Sequence, residues 1–504
     1  LIFVKLKKFF VVMLVVAFVL TSVIGVVTGF GASSSKKLPY VKLTWYVIGT
    51  PQKDWDLINQ KVNEYIKPKL NAEIKMTMFD WGEYNDKMQT KIAAGEPFDI
   101  CFTAIWTNNY RTNVAKGAFL PLNKPGNDLL SKYAPKTKKL LGDDFIKGAS
   151  INGILYAIPA NKEKAHNWGF IVRMDLVKKY KLDDMFKKVK KLEDLEPYLK
   201  IIKQKEPGVY PLGAYAGESP RFLLDWDKVV DDDVPVSLYP NNKSTKIVNE
   251  LEQPNTKALF KTVRKYYLAG YIRKDAASVT DWMSDLKAGK VFVMPQSLKP
   301  GKDAEMSIST GYQWKQIDIT PPVMSTRECI GSMQAINAKS KNPERALMFL
   351  ELFNTDKYLN NLVNFGIEGQ HYVFKDKAKG IIAPGPKAKD YSPGLGWMFG
   401  NQFINYIYEN EDPNKWKNFE EYNKKALPLL SLGFNFDDSK VKTQVAACKN
   451  VWKQYIPMLE TGSIDPDKYI PVAIDKFKKA GVDIIIKEAQ KQYDEFLKKT
   501  GRKK

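Results

Sequence analysis

The sequence predicts an α/β chain of two lobes, the first of them a doubly wound sheet, and three observations predict it. At 504 residues the chain exceeds what one hydrophobic core usually holds. Residues 41–103 change period in the order strand, helix, strand, helix, strand, which is the order of an open sheet covered by helices. Beyond Asp356 the apolar positions keep a helical spacing toward the end of the chain.

The elements follow in order. Val41–Ile48 reads as the first strand and carries Trp45 and Tyr46, and Gly49-Thr50-Pro51 turns it. Trp55, Ile58, Val62, Tyr65 and Ile66 share one helical face as far as Pro68. Residues 74–79 alternate as a half-buried strand, and Asp80 after them is offered as a helix N-cap. Tyr84, Met88 and Ile92 make the next apolar stripe, stopped by Gly95 and Pro97. A strand over 98–102 completes a right-handed unit, and Thr103 and Trp106 lie just past its C-terminal end, on the side where such sheets bind ligands. Asn152-Gly153 supports a type I′ turn before a strand to Pro159. A strand to Arg173 opens the second lobe, 175–286 is mainly helical, and Val291–Pro295 is a short buried strand. Strands are expected over 317–323 and 329–336, and a helix over 343–353 starts with Pro343 at its first position.

Composition narrows the function. Hydrophobic residues at 44% and aromatics at 12% exclude a largely disordered chain. Residues 1–32, with Lys5, Lys7 and Lys8 ahead of an apolar run, read as a secretory signal peptide or an uncleaved membrane anchor. The net charge is +22, yet only eight of the 78 basic residues are arginines and the lysines are spread along the chain. Nucleic-acid binding wants Arg forks on a concentrated face, so no nucleic-acid partner is expected, and a diffuse lysine coat fits association with an anionic membrane surface. Cys101, Cys329 and Cys448 are far apart and odd in number, so no disulfide framework is expected, and Cys101 reads as a core hydrophobe.

Chemistry needs groups that this chain lacks. There is no phosphate-binding glycine loop, nucleophile elbow or zinc-protease helix motif. His166 and His371 are the only histidines. Asp231-Asp232-Asp233 reads as a solvated turn rather than a calcium site, because adjacent side chains point in different directions. Accordingly no catalytic residue, metal or cofactor is assigned. What the chain has is indoles beside turns. A sugar packs its C–H face on an aromatic ring and offers its hydroxyls to planar polar groups, so saccharide sites combine Trp or Tyr with carboxylates, amides and Arg. The ligand-binding set expected on that ground is Trp45, Trp81, Trp106, Trp168, Trp397, Glu218, Arg221, Gln296, Gln334 and Asn401. Core packing is the competing reading for each Trp, a surface ion pair for Glu218 with Arg221, and a turn-fixing role for Glu368 with His371.

Several phrases taken together carry a resemblance: Ala93-Ala94-Gly95 with Asp99-Ile100, the segment 152–159, Ala288-Gly289-Lys290 before its strand, residues 337–344, and Gly366-Ile367-Glu368-Gly369. In this order the chain resembles the family 1 extracellular solute-binding proteins of ABC importers, and is similar to the large Gram-positive members that take up oligosaccharides. The first cysteine is Cys101, so the leader lacks the lipid-modified cysteine of many such relatives. The resemblance implies a periplasmic-binding-protein-like class II fold, with hinge-linked doubly wound lobes and a helical C-terminal extension. It places lobe 1 over 38–157 with 313–340, and lobe 2 over 158–312 with 341–504. It implies a monomeric receptor at the outer face of the cell membrane that captures an oligosaccharide by hinge closure and delivers it to ABC permease subunits. The alternative is a secreted glycosidase or lyase with Glu218 or Glu368 as acid, which needs two carboxylates about 5 to 10 Å apart across one cleft.

Overall fold

The computed structural model describes residues 38–279 and 281–502, and the expected leader, 1–32, lies outside them. Residues Lys42–Lys504 make up one compact unit, and the site lies within it.

Two sheets organise this unit. The chain starts the first with β1 (Val41–Ile48), then α1 (Trp55–Leu70), β2 (Ala72–Phe79), α2 (Tyr84–Ala93), β3 (Ile100–Thr103) and, much later, β4 (Ala157–Pro159). Along β1 the even positions 42, 44 and 46 are more exposed, while Leu43, Trp45 and Val47 are buried. The period of two therefore sends one face into the core. In α1 the buried residues Trp55, Ile58, Val62 and Ile66 recur three or four apart, so the helix lies down on a single stripe. Pro68, expected to stop α1, sits in its last turn, which ends two residues later. Asp80 does not cap α2. Its side chain accepts from Gly82 N–H within the preceding turn, and the residue at the cap is Glu83.

The second sheet consists of β5 (Asn167–Arg173), β6 (Tyr210–Leu212), β7 (Val291–Leu298) and β8 (Trp314–Asp318), with α3 (Pro254–Leu268) between β6 and β7 and α4 (Lys302–Thr310) before β8. Its order is β8-β5-β7-β6. β5 runs antiparallel to both neighbours, and β6 lies parallel to β7. Gly169 in β5 stands where the Ile317 carbonyl of β8 comes closest, since a Cβ there would lie 2.1 Å from that oxygen. Only glycine lets the two backbones meet at this register.

β9 (Met333–Ile336) returns to the first sheet, antiparallel to β3 and β4, giving the order β2-β1-β3-β9-β4. Residues 329–332, expected to belong to this strand, do not, because Ser325 accepts from Glu328 N–H and starts a short helix, Thr326–Cys329. The placement of later segments also departs from expectation. Trp314–Asp318 was expected in lobe 1 but pairs with β5 in the second sheet. Then α5 (Pro343–Thr355), which has Pro343 at its start, and α6 (Lys357–Phe365) pack on α1, on the first sheet's side and not in lobe 2. The chain closes with α7 (Lys442–Glu460), α8 (Pro466–Lys479) and α9 (Val482–Thr500). Trp452, Phe477 and Tyr493 of these helices share one core with Phe170, Phe260 and Phe292.

The segments that pass between the sheets run side by side. His166 and Val323 exchange backbone hydrogen bonds of 3.1 and 2.9 Å. Val323 and Met324 in turn pair in parallel with Leu427 and Pro428. The 427–428 crossing has no counterpart in the sequence reading. No helix of the described residues is long and apolar enough to cross a membrane.

Candidate ligand-binding cleft

Turns at the ends of the first sheet's strands put three indoles together. Trp81 follows β2, Trp106 follows β3, and Trp397 comes from the segment after α6. Trp81 stacks toward Trp106 and Trp397 with centroids 6.3 Å away in each case, Trp106 and Trp397 are 6.2 Å apart, and Phe102 supports both. Trp81 and Trp106 remain 44% and 45% exposed, a large apolar area to leave in water. The Trp106 N–H is held by the Gly331 carbonyl at 2.9 Å, so the ring plane is fixed.

Trp397 also lines a cavity of about 270 Å³, whose charged walls come from Lys162, Glu163, Lys299 and α4. Their charges are paired internally. Lys299 lies 3.1 Å from Glu305 and 3.5 Å from Glu163, Lys302 lies 2.8 Å from Glu305, and Lys162 lies 3.0 Å from Glu163. Burial alone would raise the Glu305 carboxyl, but Lys299 and Lys302 outweigh it and hold it well below the usual range.

His166 and Glu328 separate this cavity from a second one of about 380 Å³, since both residues line both spaces. His166 has Asp225 Oδ1 2.9 Å from Nε2 and Glu328 Oε1 2.9 Å from Nδ1. Burial opposes the charged ring, yet the two carboxylates prevail and raise it to about 10. In return, against its own burial, Glu328 is held down to about 2, chiefly by His166. The residue is thus an imidazolium clamped by two carboxylates at the point where the crossing segments meet.

The larger cavity has an aromatic wall and a charged wall. Trp168 stacks on Phe222 at 4.4 Å and 13°. Arg221 lies over Phe222 and over Trp452 of α7, and its Nε donates to Glu460 at 3.0 Å. Arg327 pairs with Asp232, and Lys449 with Asp231 at 3.0 Å, so the acidic run already has cations of its own. Burial raises the Asp227 carboxyl to about 6. No group of three or more His, Cys, Asp or Glu side chains placed to hold a metal ion occurs among the described residues. Three buried polar atoms in these walls have no protein partner, namely Trp226 Nε1, Asp225 Oδ2 and Glu163 Oε2. A buried polar atom left so costs about 1 to 3 kcal/mol.

The structure divides the sequence-expected residues. Trp81, Trp106 and Trp397 form one cluster, while Trp168 and Arg221 line the larger cavity. Glu218 accepts from Gln296 at 3.2 Å beside them, and burial pushes its carboxyl up to about 7. Three expected contacts are corrected. Trp45 is fully buried, edge-on to Phe349, Phe353 and Phe399, and its N–H donates to Gln334 at 2.8 Å. That bond occupies Gln334 as well. Asn401 is buried and bound by Asn161, the Asn354 carbonyl and Phe403 N–H. Sequence reasoning missed Asp225, Glu328, Trp452 and Glu460 as wall residues. For the α7 pair a signal existed, because Trp452 and Glu460 are eight apart on one helical face.

Comparison with known proteins gives concordant results. A family described as bacterial extracellular solute-binding protein matches residues 56–359, and a domain of unknown function (DUF3502) matches residues 430–498. A carbohydrate ABC transporter substrate-binding protein of Streptococcus pneumoniae serotype 4 (strain ATCC BAA-334 / TIGR4) is 32% identical over 497 residues, covering 96% of this chain and 98% of that one. The crystal structure of the N-glycan transport solute binding protein NgtS from Streptococcus pneumoniae superposes with a TM-score of 0.83 at 31% identity, over 91% of this chain and 99% of that one. The same protein in complex with Man5GlcNAc superposes with a TM-score of 0.76 at 31% identity, over 92% and 99%.

Proposed function

Because this chain belongs to the bacterial extracellular solute-binding proteins, we propose that it captures an oligosaccharide in the cleft between Trp397 and His166 and delivers it unchanged to an ABC permease at the outer face of the cell membrane. The observation that carries this reading is the indole cluster of Trp81, Trp106 and Trp397, of which the first two are exposed and the third lines the smaller cavity. Indole faces match the C–H side of sugar rings, and the buried donors and acceptors match its hydroxyls. Arg221, Arg327 and His166 each already face a carboxylate, which favours a neutral oligomer over an acidic one. The pneumococcal relative's complex with a mannose-rich glycan makes Man5GlcNAc the first ligand to try.

The lobes are drawn from the sheets. Lobe 1 takes residues 42–160 and 330–426, lobe 2 takes 165–320 and 429–502, and the adjacent crossings at His166, Val323 and Leu427 form the hinge. This chain matches two structures of one pneumococcal protein unequally, at 0.83 and 0.76, which supports a fold whose halves change their mutual orientation. A ligand touching both lobes in only one orientation shifts that equilibrium by its differential affinity. Calorimetry of the purified chain against Man5GlcNAc, kestose and an alginate oligomer tests the proposal, with mass spectrometry of the recovered sugar. Saturable binding of intact glycan is expected. Cleavage, or no binding to any of the three, overturns it.

A further inference from the structure

The C-terminal segment that matches a domain of unknown function does more than cover the second sheet. Its first long helix, α7, contributes Trp452, Lys453, Pro457 and Glu460 to the wall of the larger cavity. Lys453, Pro457 and Glu460 follow one another at four and three residues, a single stripe of the helix. Glu460, at the end of the stripe, accepts from Gly217 N–H at 2.8 Å, Ser219 Oγ at 3.0 Å and Arg221 Nε at 3.0 Å, and so positions the loop and the guanidinium opposite.

Two groups on this stripe are uncommitted. Lys453 is exposed at the cavity and has no ion pair or side-chain hydrogen bond among the described residues. Pro457 lies inside α7, four residues further on, and has no N–H. The Lys453 carbonyl therefore lacks its ordinary helical donor, and Lys453 and Pro457 are both among the residues that line the cavity. An ammonium donor and a carbonyl without its i+4 partner at one residue match adjacent sugar hydroxyls, each of which can accept and donate. A proline inside a helix is costly, and a ligand-facing carbonyl is a reason to keep it.

We propose that the domain of unknown function is a ligand-recognition element, in which α7 contacts a saccharide unit through the Lys453 ammonium and through the Lys453 carbonyl that Pro457 leaves unpaired. This rests on the reading that the cavity takes a saccharide. The test uses the full chain, its Pro457→Ala and Lys453→Ala variants, Man5GlcNAc titrated by calorimetry, and melting temperatures measured in parallel. Pro457→Ala restores the N–H, so it is expected to raise the melting temperature while weakening binding about tenfold. Lys453→Ala is expected to weaken binding about fivefold with an unchanged melting temperature. Variants that bind as the wild type does overturn the proposal and leave the receptor reading standing, as does a Pro457→Ala chain that loses stability and affinity together. A wild-type chain that binds none of the glycans named above removes both.

Discussion

Trp45 and Trp106 show how one side chain serves two ends. Trp45 has its ring buried beside the first sheet and its N–H on Gln334, whereas Trp106 stays partly in water with its N–H pinned to Gly331. Trp106→Ala should therefore weaken glycan binding about tenfold with little change in melting temperature. Gln334→Leu should do the opposite: it leaves the Trp45 N–H buried and unpaired, costs about 1 to 3 kcal/mol of stability and spares affinity. Titration and thermal melts on the two variants separate the roles. His166 carries a pH dependence whose sign is fixed. Its folded value, about 10, lies above the ordinary histidine value, so its stabilisation is complete below about 6.5 and fades as pH rises toward 10. Melting temperatures taken from pH 6 to 10 should fall more steeply for the wild type than for His166→Gln. Trp45 was expected to meet ligand and is buried instead, because it shares the strand face of Leu43 and Val47 that turns into the core. The His166 clamp was not legible, because Asp225 and Glu328 are 59 and 162 residues away from it along the chain, and no local pattern links them.

Among elements, α7 to α9 complete the core of the second sheet. Phe434, Trp452, Phe477 and Tyr493 are buried in the same core as the second sheet's Phe170 and Phe292. Deleting residues 430–504 would strip that face, and losing even one such aromatic costs about 3 to 5 kcal/mol, against a total stability of about 5 to 15. The shortened chain is expected to show no cooperative unfolding by circular dichroism, and a sharp melt would contradict this packing. The βαβ unit of 72–103 was legible because strand and helix periods alternate there without interruption. β8 was misplaced because it is a five-residue strand whose membership depends on Gly169 admitting the Ile317 carbonyl, a contact between segments far apart in sequence. The 427–428 crossing is two residues long, too short to leave a period.

For the molecule as a whole, the class of fold was readable from length and element order, while the ownership of the late helices was not. The stripes of α5 and α6 show that they are buried but not against which sheet, and contacts with α1 settle the matter. The receptor reading joins these scales. Trp397 of the indole cluster lines one cavity, and His166 and Glu328 separate it from a larger one walled by Trp168 of the second sheet and Trp452 of α7.

A crystal structure of the chain grown with Man5GlcNAc tests that arrangement most directly. Sugar rings stacked on Trp81, Trp106 or Trp397, with hydroxyls bonded to Trp226 Nε1 and Asp225 Oδ2 beyond His166, are the predicted result. Glycan seated elsewhere on the surface, with the cleft filled only by water, would contradict it.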